Sequence, residues 1–133
     1  MRDLVEKEGL QGKIEVDSAA TSSWHIGEPP HRGTVTKLHE HKISVNGMKG
    51  RQLRSTDYND FDYIIGMDES NIQNIQQMLG QQEDKEIFRL LDLTDLKKDM
   101  PDPYYTGDFQ ETYDLALVGC VALLEKIRLE HGI

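Results

Sequence analysis

Phe61-Asp62-Tyr63-Ile64-Ile65-Gly66-Met67-Asp68-Glu69-Ser70-Asn71-Ile72 is the stretch on which the fold turns. Residues 61–67 are a short, mostly apolar run, the pattern of a strand buried on both faces. The run passes at once into Asp68 and then a helical pattern, with Ile72, Ile75 and Leu79 at helical spacing. Ser70 and Gln73 match a capping box for that helix. A strand feeding directly into an amphipathic helix is the repeating unit of parallel α/β architecture.

Downstream, Gln81–Glu86 reads as a polar connection and Ile87–Leu91 as a second strand. Met100–Asp108 is a loop rich in Pro, Gly and Tyr. Phe109 to about His131 forms the longest helix, with Phe109, Tyr113, Ala116, Leu117, Cys120, Leu124 and Ile127 recurring every three or four residues. Upstream, residues 43–60 are mixed, with turns at Gly47 and Gly50. Arg32–Lys42 is helical, with Val35 and Leu38 facing inward. Thr21–Pro30 is a loop, and Lys13–Ala19 alternates apolar and polar as a short strand does. Residues 1–8 are helix formers with Leu4 and Val5 on one side, stopped by Gly9 and lacking a capping residue at the start. The expected fold class is α/β: one domain over residues 1–133, a three-layer sandwich with a short, mainly parallel sheet and helices on both faces. Sites in such sheets lie beyond the carboxyl ends of the strands. Three segments are expected to converge there: Ser18–Trp24, Asp68 and the Pro101–Phe109 loop.

Composition narrows the function. With 15 Lys plus Arg against 24 Asp plus Glu, the 133 residues carry a formal net charge of −9. That argues against a nucleic-acid partner, which demands a basic surface, and against docking on anionic lipid. No apolar run approaches the roughly 18 residues of a membrane span, and the charged N-terminus has no signal-peptide pattern. The expected location is the cytoplasm. One cysteine, Cys120, allows no intrachain disulfide and no cysteine zinc site. It falls on the apolar stripe of the last helix and is expected to be a buried, inert core residue. Histidines 25, 31, 39, 41 and 131 lack zincin-like spacing. No metal or cofactor is expected.

Two sites stand out for chemistry. In Pro101-Asp102-Pro103-Tyr104-Tyr105-Thr106-Gly107, two prolines fix the backbone around one carboxylate, and two aromatics follow. A rigid carboxylic acid beside aromatic walls suits general-acid work on a flat, apolar leaving group. A Pro-rich surface turn with an Asx hydrogen bond has the same composition. Trp24 sits in the loop before Pro29 and Pro30, either as a specificity wall or packed down on the loop. Asp68 either holds a partner residue or caps its helix.

Taken together in their order, several segments resemble the low-molecular-weight protein tyrosine phosphatases of the bacterial type. They are Val16-Asp17-Ser18-Ala19-Ala20-Thr21-Ser22, Ile26-Gly27-Glu28-Pro29-Pro30, Arg51-Gln52, Phe61-Asp62-Tyr63-Ile64, Met67-Asp68-Glu69-Ser70-Asn71 and Asp102-Pro103-Tyr104-Tyr105. The resemblance implies a four-stranded parallel sheet flanked by helices. It also implies metal-free hydrolysis of phosphotyrosine proteins or small aryl phosphates through a cysteinyl-phosphate. By this resemblance Asp102 is the general acid, Trp24, Tyr104 and Tyr105 flank the substrate, Ser18 supports the phosphate loop, and Asp68 is a carboxylate near the site.

The sequence departs from that pattern in its chemistry. The family's Cys-x5-Arg loop, which cradles the phosphate and supplies the nucleophile, is absent from these 133 residues. The nearest spacing, Cys120 to Lys126, has the wrong cation and lies within a helix. Met48 stands where many relatives have a histidine. The expectation is a chain truncated ahead of Met1, lacking the central first strand and its loop, and inactive as it stands. Exposed strand edges would then favour a dimer or swapped assembly. The alternatives are a natural pseudophosphatase or interaction module and, less favoured, an arsenate reductase-like protein.

Overall fold

The computed structural model describes residues 1–80 and 86–133. Helices α1 (Arg2–Lys7), α2 (Arg32–Glu40) and α3 (Asp57–Asp60) precede strand β1 (Tyr63–Gly66) and helix α4 (Glu69–Leu79). Strand β2 (Glu86–Arg89), a 3-10 turn (Leu90–Leu93), α5 (Pro103–Thr106) and α6 (Phe109–His131) follow. The expected connection over residues 81–85 lies outside the described residues. The chain divides into two compact units, residues 18–89 and residues 1–17 with 90–133.

In the unit of residues 18–89, β1 and β2 pair in parallel, Tyr63 opposite Glu86 and Gly66 opposite Arg89. Their α/β crossover runs through α4, as parallel pairing demands. Ile64, Ile75 and Leu79 bury together with Tyr58 of α3, and Leu53 and Ile87 pack on that cluster. Ile72 is also buried, so the helical spacing read from sequence is the packing face. β1 is less enclosed than expected: Ile64 and Gly66 are buried, whereas Tyr63 and Ile65 are only half-buried. Gly66 lies so close to α4 that a Cβ there would stand 2.8 Å from Ile72 Cδ1. Helix α2 buries no residue fully, leaving Val35 and Leu38 half-buried.

Three elements differ from the sequence expectation. Lys13–Ala19 forms no strand; among the described residues only an isolated parallel bridge, Ala20 to Gln52, occurs nearby. A strand is defined by its ladder, and alternation alone supplies no partner. The second strand ends at Arg89 because Leu90 and Leu91 turn into the 3-10 segment. The cap of α4 is Asp68, not Ser70, which sits inside the first turn.

In the other unit, Val5, Leu10 and Leu124 form a buried cluster, with Leu4, Ile14 and Val16 packed against it. The alternation of Lys13–Ala19 therefore survives as burial: Ile14 and Val16 are half-buried, while Glu15 and Asp17 are exposed. Gly9 ends α1 with φ +69, and Leu10 N–H returns to Val5 O at 2.9 Å, a conformation glycine adopts without steric cost. α6 buries Gly119, Leu123, Leu124 and Ile127. Leu117, assigned inward from its spacing, is exposed instead. Cys120 is half-buried rather than enclosed.

Candidate functional site

The Asp102 segment is a helical turn rather than an irregular loop. Pro103 occupies the first helical position, where its missing N–H and fixed φ suit the start of a helix. Asp102 is the cap, its Oδ1 accepting from Tyr104 N–H at 2.9 Å. Gly107 closes the turn in the left-handed region, φ +71, and its N–H returns to Pro103 O at 2.8 Å. Asp108 then caps α6, accepting from Glu111 N–H at 2.9 Å. The Thr112 hydroxyl reaches back to Pro101 O at 3.3 Å. Two successive caps thus fix the Asp102 carboxylate at a defined place ahead of α6. Tyr104 is 63 % and Tyr105 90 % exposed.

Trp24 belongs to the other unit and is 84 % exposed. It is not packed onto its own loop. That loop is held at both ends by residues 50–53. Ala20 N–H donates to Arg51 O and Leu53 N–H to Ala20 O, both at 2.8 Å. Gly27 N–H donates to Gly50 O and Gly50 N–H to Glu28 O, both at 2.7 Å. Gly50 abuts the loop so closely that a Cβ would stand 2.1 Å from His25 O. Next to Trp24, His25 Nδ1 lies 2.6 Å from Glu28 Oε2. Ser18, exposed, lies just ahead of the bridged Ala20.

Asp68 follows β1 directly and caps α4, its Oδ1 accepting from Asn71 N–H at 2.7 Å. Asn71 Oδ1 accepts in return from Met67 N–H at 3.0 Å. This is a reciprocal cap in the manner of a capping box, two residues earlier than the sequence pattern suggests. The structure therefore brings Asp102 and Tyr104 together by a cap bond. It places Trp24, Ser18 and Asp68 in the unit that excludes them.

One polar centre escaped the sequence reading. Asp57 is 2 % exposed. Arg51 Nη1 donates to its Oδ2 at 2.9 Å and Arg51 Nη2 to its Oδ1 at 3.2 Å. Arg54 N–H donates to Oδ2 at 2.8 Å, and the Arg54 guanidinium stands 4.0 Å away. Burial by itself pushes the carboxyl pKa up. The Arg51 fork, the Arg54 amide and the two positive charges outweigh it and hold the pKa below the ordinary value of 3.8. Arg51 and Asp57 are six residues apart across an irregular segment, so no periodicity marks them as partners.

Known proteins bear on these observations. The low molecular weight phosphotyrosine protein phosphatase family model matches residues 1–131. The chain is 49% identical over 132 residues to the low molecular weight protein-tyrosine-phosphatase YfkJ of Bacillus subtilis, covering 97% of this chain and 84% of that protein. It is 40% identical over 128 residues to the low molecular weight protein-tyrosine-phosphatase PtpA of Staphylococcus aureus strain MRSA252, covering 96% and 80%. The crystal structure of YfkJ superposes with a TM-score of 0.92, covering 98% of this chain and 83% of that one. That agreement bears out the α/β class with a small parallel sheet and helices. On the span of these matches and their identity, the chain belongs to the low molecular weight phosphotyrosine protein phosphatase family.

Proposed function

We propose that this chain serves phosphate-monoester hydrolysis on phosphotyrosine proteins or small aryl phosphates, with Asp102 as its general acid and base. The observation that carries the reading is the Asp102 carboxylate, fixed by its cap bond at the start of α5 with two exposed tyrosines directly after it. Family membership supplies the reaction class. Oδ1 is engaged by Tyr104 N–H, and Oδ2 has no hydrogen bond among the described residues, so Oδ2 is the oxygen available to carry a proton. In the first step that proton would pass to the departing phenolate oxygen as phosphorus exchanges its bond to that oxygen for one to the thiolate of the family's Cys-x5-Arg loop. In the second, the carboxylate takes a proton from the water that cleaves the phospho-enzyme, and the acid is restored. Tyr104 and Tyr105 supply apolar faces for an aryl group beside Asp102; an aryl-wall role for Trp24 and supporting roles for Ser18 and Asp68 rest on the family resemblance.

The nucleophile and phosphate-binding arginine of this chemistry belong to a Cys-x5-Arg loop that the 133 residues do not contain. Cys120 does not replace it, being half-buried in the middle of α6. These residues alone are therefore expected to be inactive. Purified and given p-nitrophenyl phosphate, the 133-residue chain should show no turnover. Turnover that persists in Cys120→Ser, after contaminant controls, overturns the expectation. Extended by the family's first strand and loop, the chain should hydrolyse the substrate. Asp102→Asn, which keeps the cap acceptor but not the acid, should then lower kcat by roughly 10²–10⁴-fold. A rate close to that of the unsubstituted chain removes Asp102 from the mechanism. An extended chain that stays inactive but binds phosphotyrosine peptide favours a pseudophosphatase or interaction module.

A further inference from the structure

We propose that the Arg51–Asp57 ion pair is a clamp that positions the Trp24 loop, making both residues positioning residues for aryl-substrate recognition; this use of the loop rests on the proposed role of Trp24 as an aryl wall. Tyr58 of α3 is buried with Ile64, Ile75 and Leu79, which fixes its neighbour Asp57 in the same short helix. Asp57 holds the Arg51 guanidinium by a two-point fork at 2.9 and 3.2 Å, a geometry that restricts both position and orientation. Arg51 lies in the strip of residues 50–53. Through the backbones of Gly50, Arg51 and Leu53, this strip receives and gives the bonds that close the Trp24 loop at Ala20 and at Gly27–Glu28.

Residues 21–26 span the gap between those closures, with Trp24 in the middle and 84 % exposed. An aromatic so exposed has little packing of its own to fix it. Its position is inherited from the ends of the loop, and those ends are tied to the core through Arg51. Leu53 anchors the strip's other end by packing on the same core. Loss of the ion pair should therefore free the Gly50 end first.

The test is native-state amide exchange on the full chain, comparing Arg51→Lys, which keeps the charge but not the fork, with Asp57→Asn. Protection at Gly27 and Gly50 should fall by about tenfold or more, while Ile72 and Ile75 of α4 stay within about twofold. The chain has a single tryptophan, so the fluorescence anisotropy of Trp24 should fall in the same variants. The clamp is overturned if the Gly27 and Gly50 amides keep their protection. It is equally overturned if they and α4 lose protection together in Arg51→Lys, because the pair then merely stabilises the unit. In the extended, active chain, the released loop should raise KM for aryl phosphates several-fold with kcat little changed. Exchange that rises without a change in KM leaves the clamp standing and removes Trp24 from substrate recognition.

Discussion

Replacing Gly119 by alanine sets two opposed effects against each other at one buried contact. Gly119 lies inside α6, where alanine is favoured over glycine by about 1 kcal/mol. Against this, a Cβ at that position would stand 2.5 Å from Leu90 Cγ, 2.9 Å from Cδ2 and 3.2 Å from Cδ1. Leu90 is buried, and its neighbour Leu91 is fully enclosed, so the side chain cannot swing aside without displacing other core atoms. The first overlap falls on the branch point rather than a mobile tip. Overpacking of this kind costs about 1–3 kcal/mol. The propensity gain offsets part of it, and Gly119→Ala should destabilise by up to about 2 kcal/mol. Urea unfolding followed by far-ultraviolet circular dichroism measures this as a lowered midpoint at unchanged slope. Leu90→Ala removes the three atoms nearest that Cβ and alone should cost about 2–5 kcal/mol. In the Gly119→Ala background it should cost measurably less, because the clash disappears and the new methyl occupies part of the vacated space. A Gly119→Ala protein that gains the full helix-propensity benefit, or a strictly additive double variant, refutes a close approach of α6 to the 3-10 turn.

Two other outcomes follow from the same structure. Asp68→Ala removes the α4 cap and leaves Asn71 N–H without its acceptor; a loss of about 1 kcal/mol in urea unfolding is expected, and Asp68→Asn should recover most of it. The depressed pKa of Asp57 gives the pH dependence its sign. The unfolded chain binds the proton more readily, so the ion pair's contribution is complete above the ordinary carboxyl value of 3.8 and is lost as pH falls through the folded value below it. The stability gap between the native protein and Asp57→Asn should therefore narrow between about pH 5 and about pH 2, and a gap that stays constant over that range refutes the assignment.

Only local features are written in neighbouring residues. The runs that became β1, α4 and α6 were legible because hydrophobic period is carried by neighbouring residues. Ile72, Ile75, Leu79, Leu124 and Ile127 bury where their spacing placed them. Asp102 was visible as a Pro-flanked carboxylate beside two tyrosines, although its α5 turn was not, since a single capped turn leaves almost no periodic signature. The remaining features depend on contacts made through space. Lys13–Ala19 has the alternation of a strand but no ladder. Gly119 is buried in α6 because Leu90 meets it there, whereas spacing alone turns Leu117 inward, which is exposed. Arg51 finds Asp57 across an irregular segment whose path is set by Tyr58 and Leu53 in the core. Ladders, close helix contacts and buried ion pairs join residues through space, and their free energy depends on partners that no window of neighbouring sequence contains.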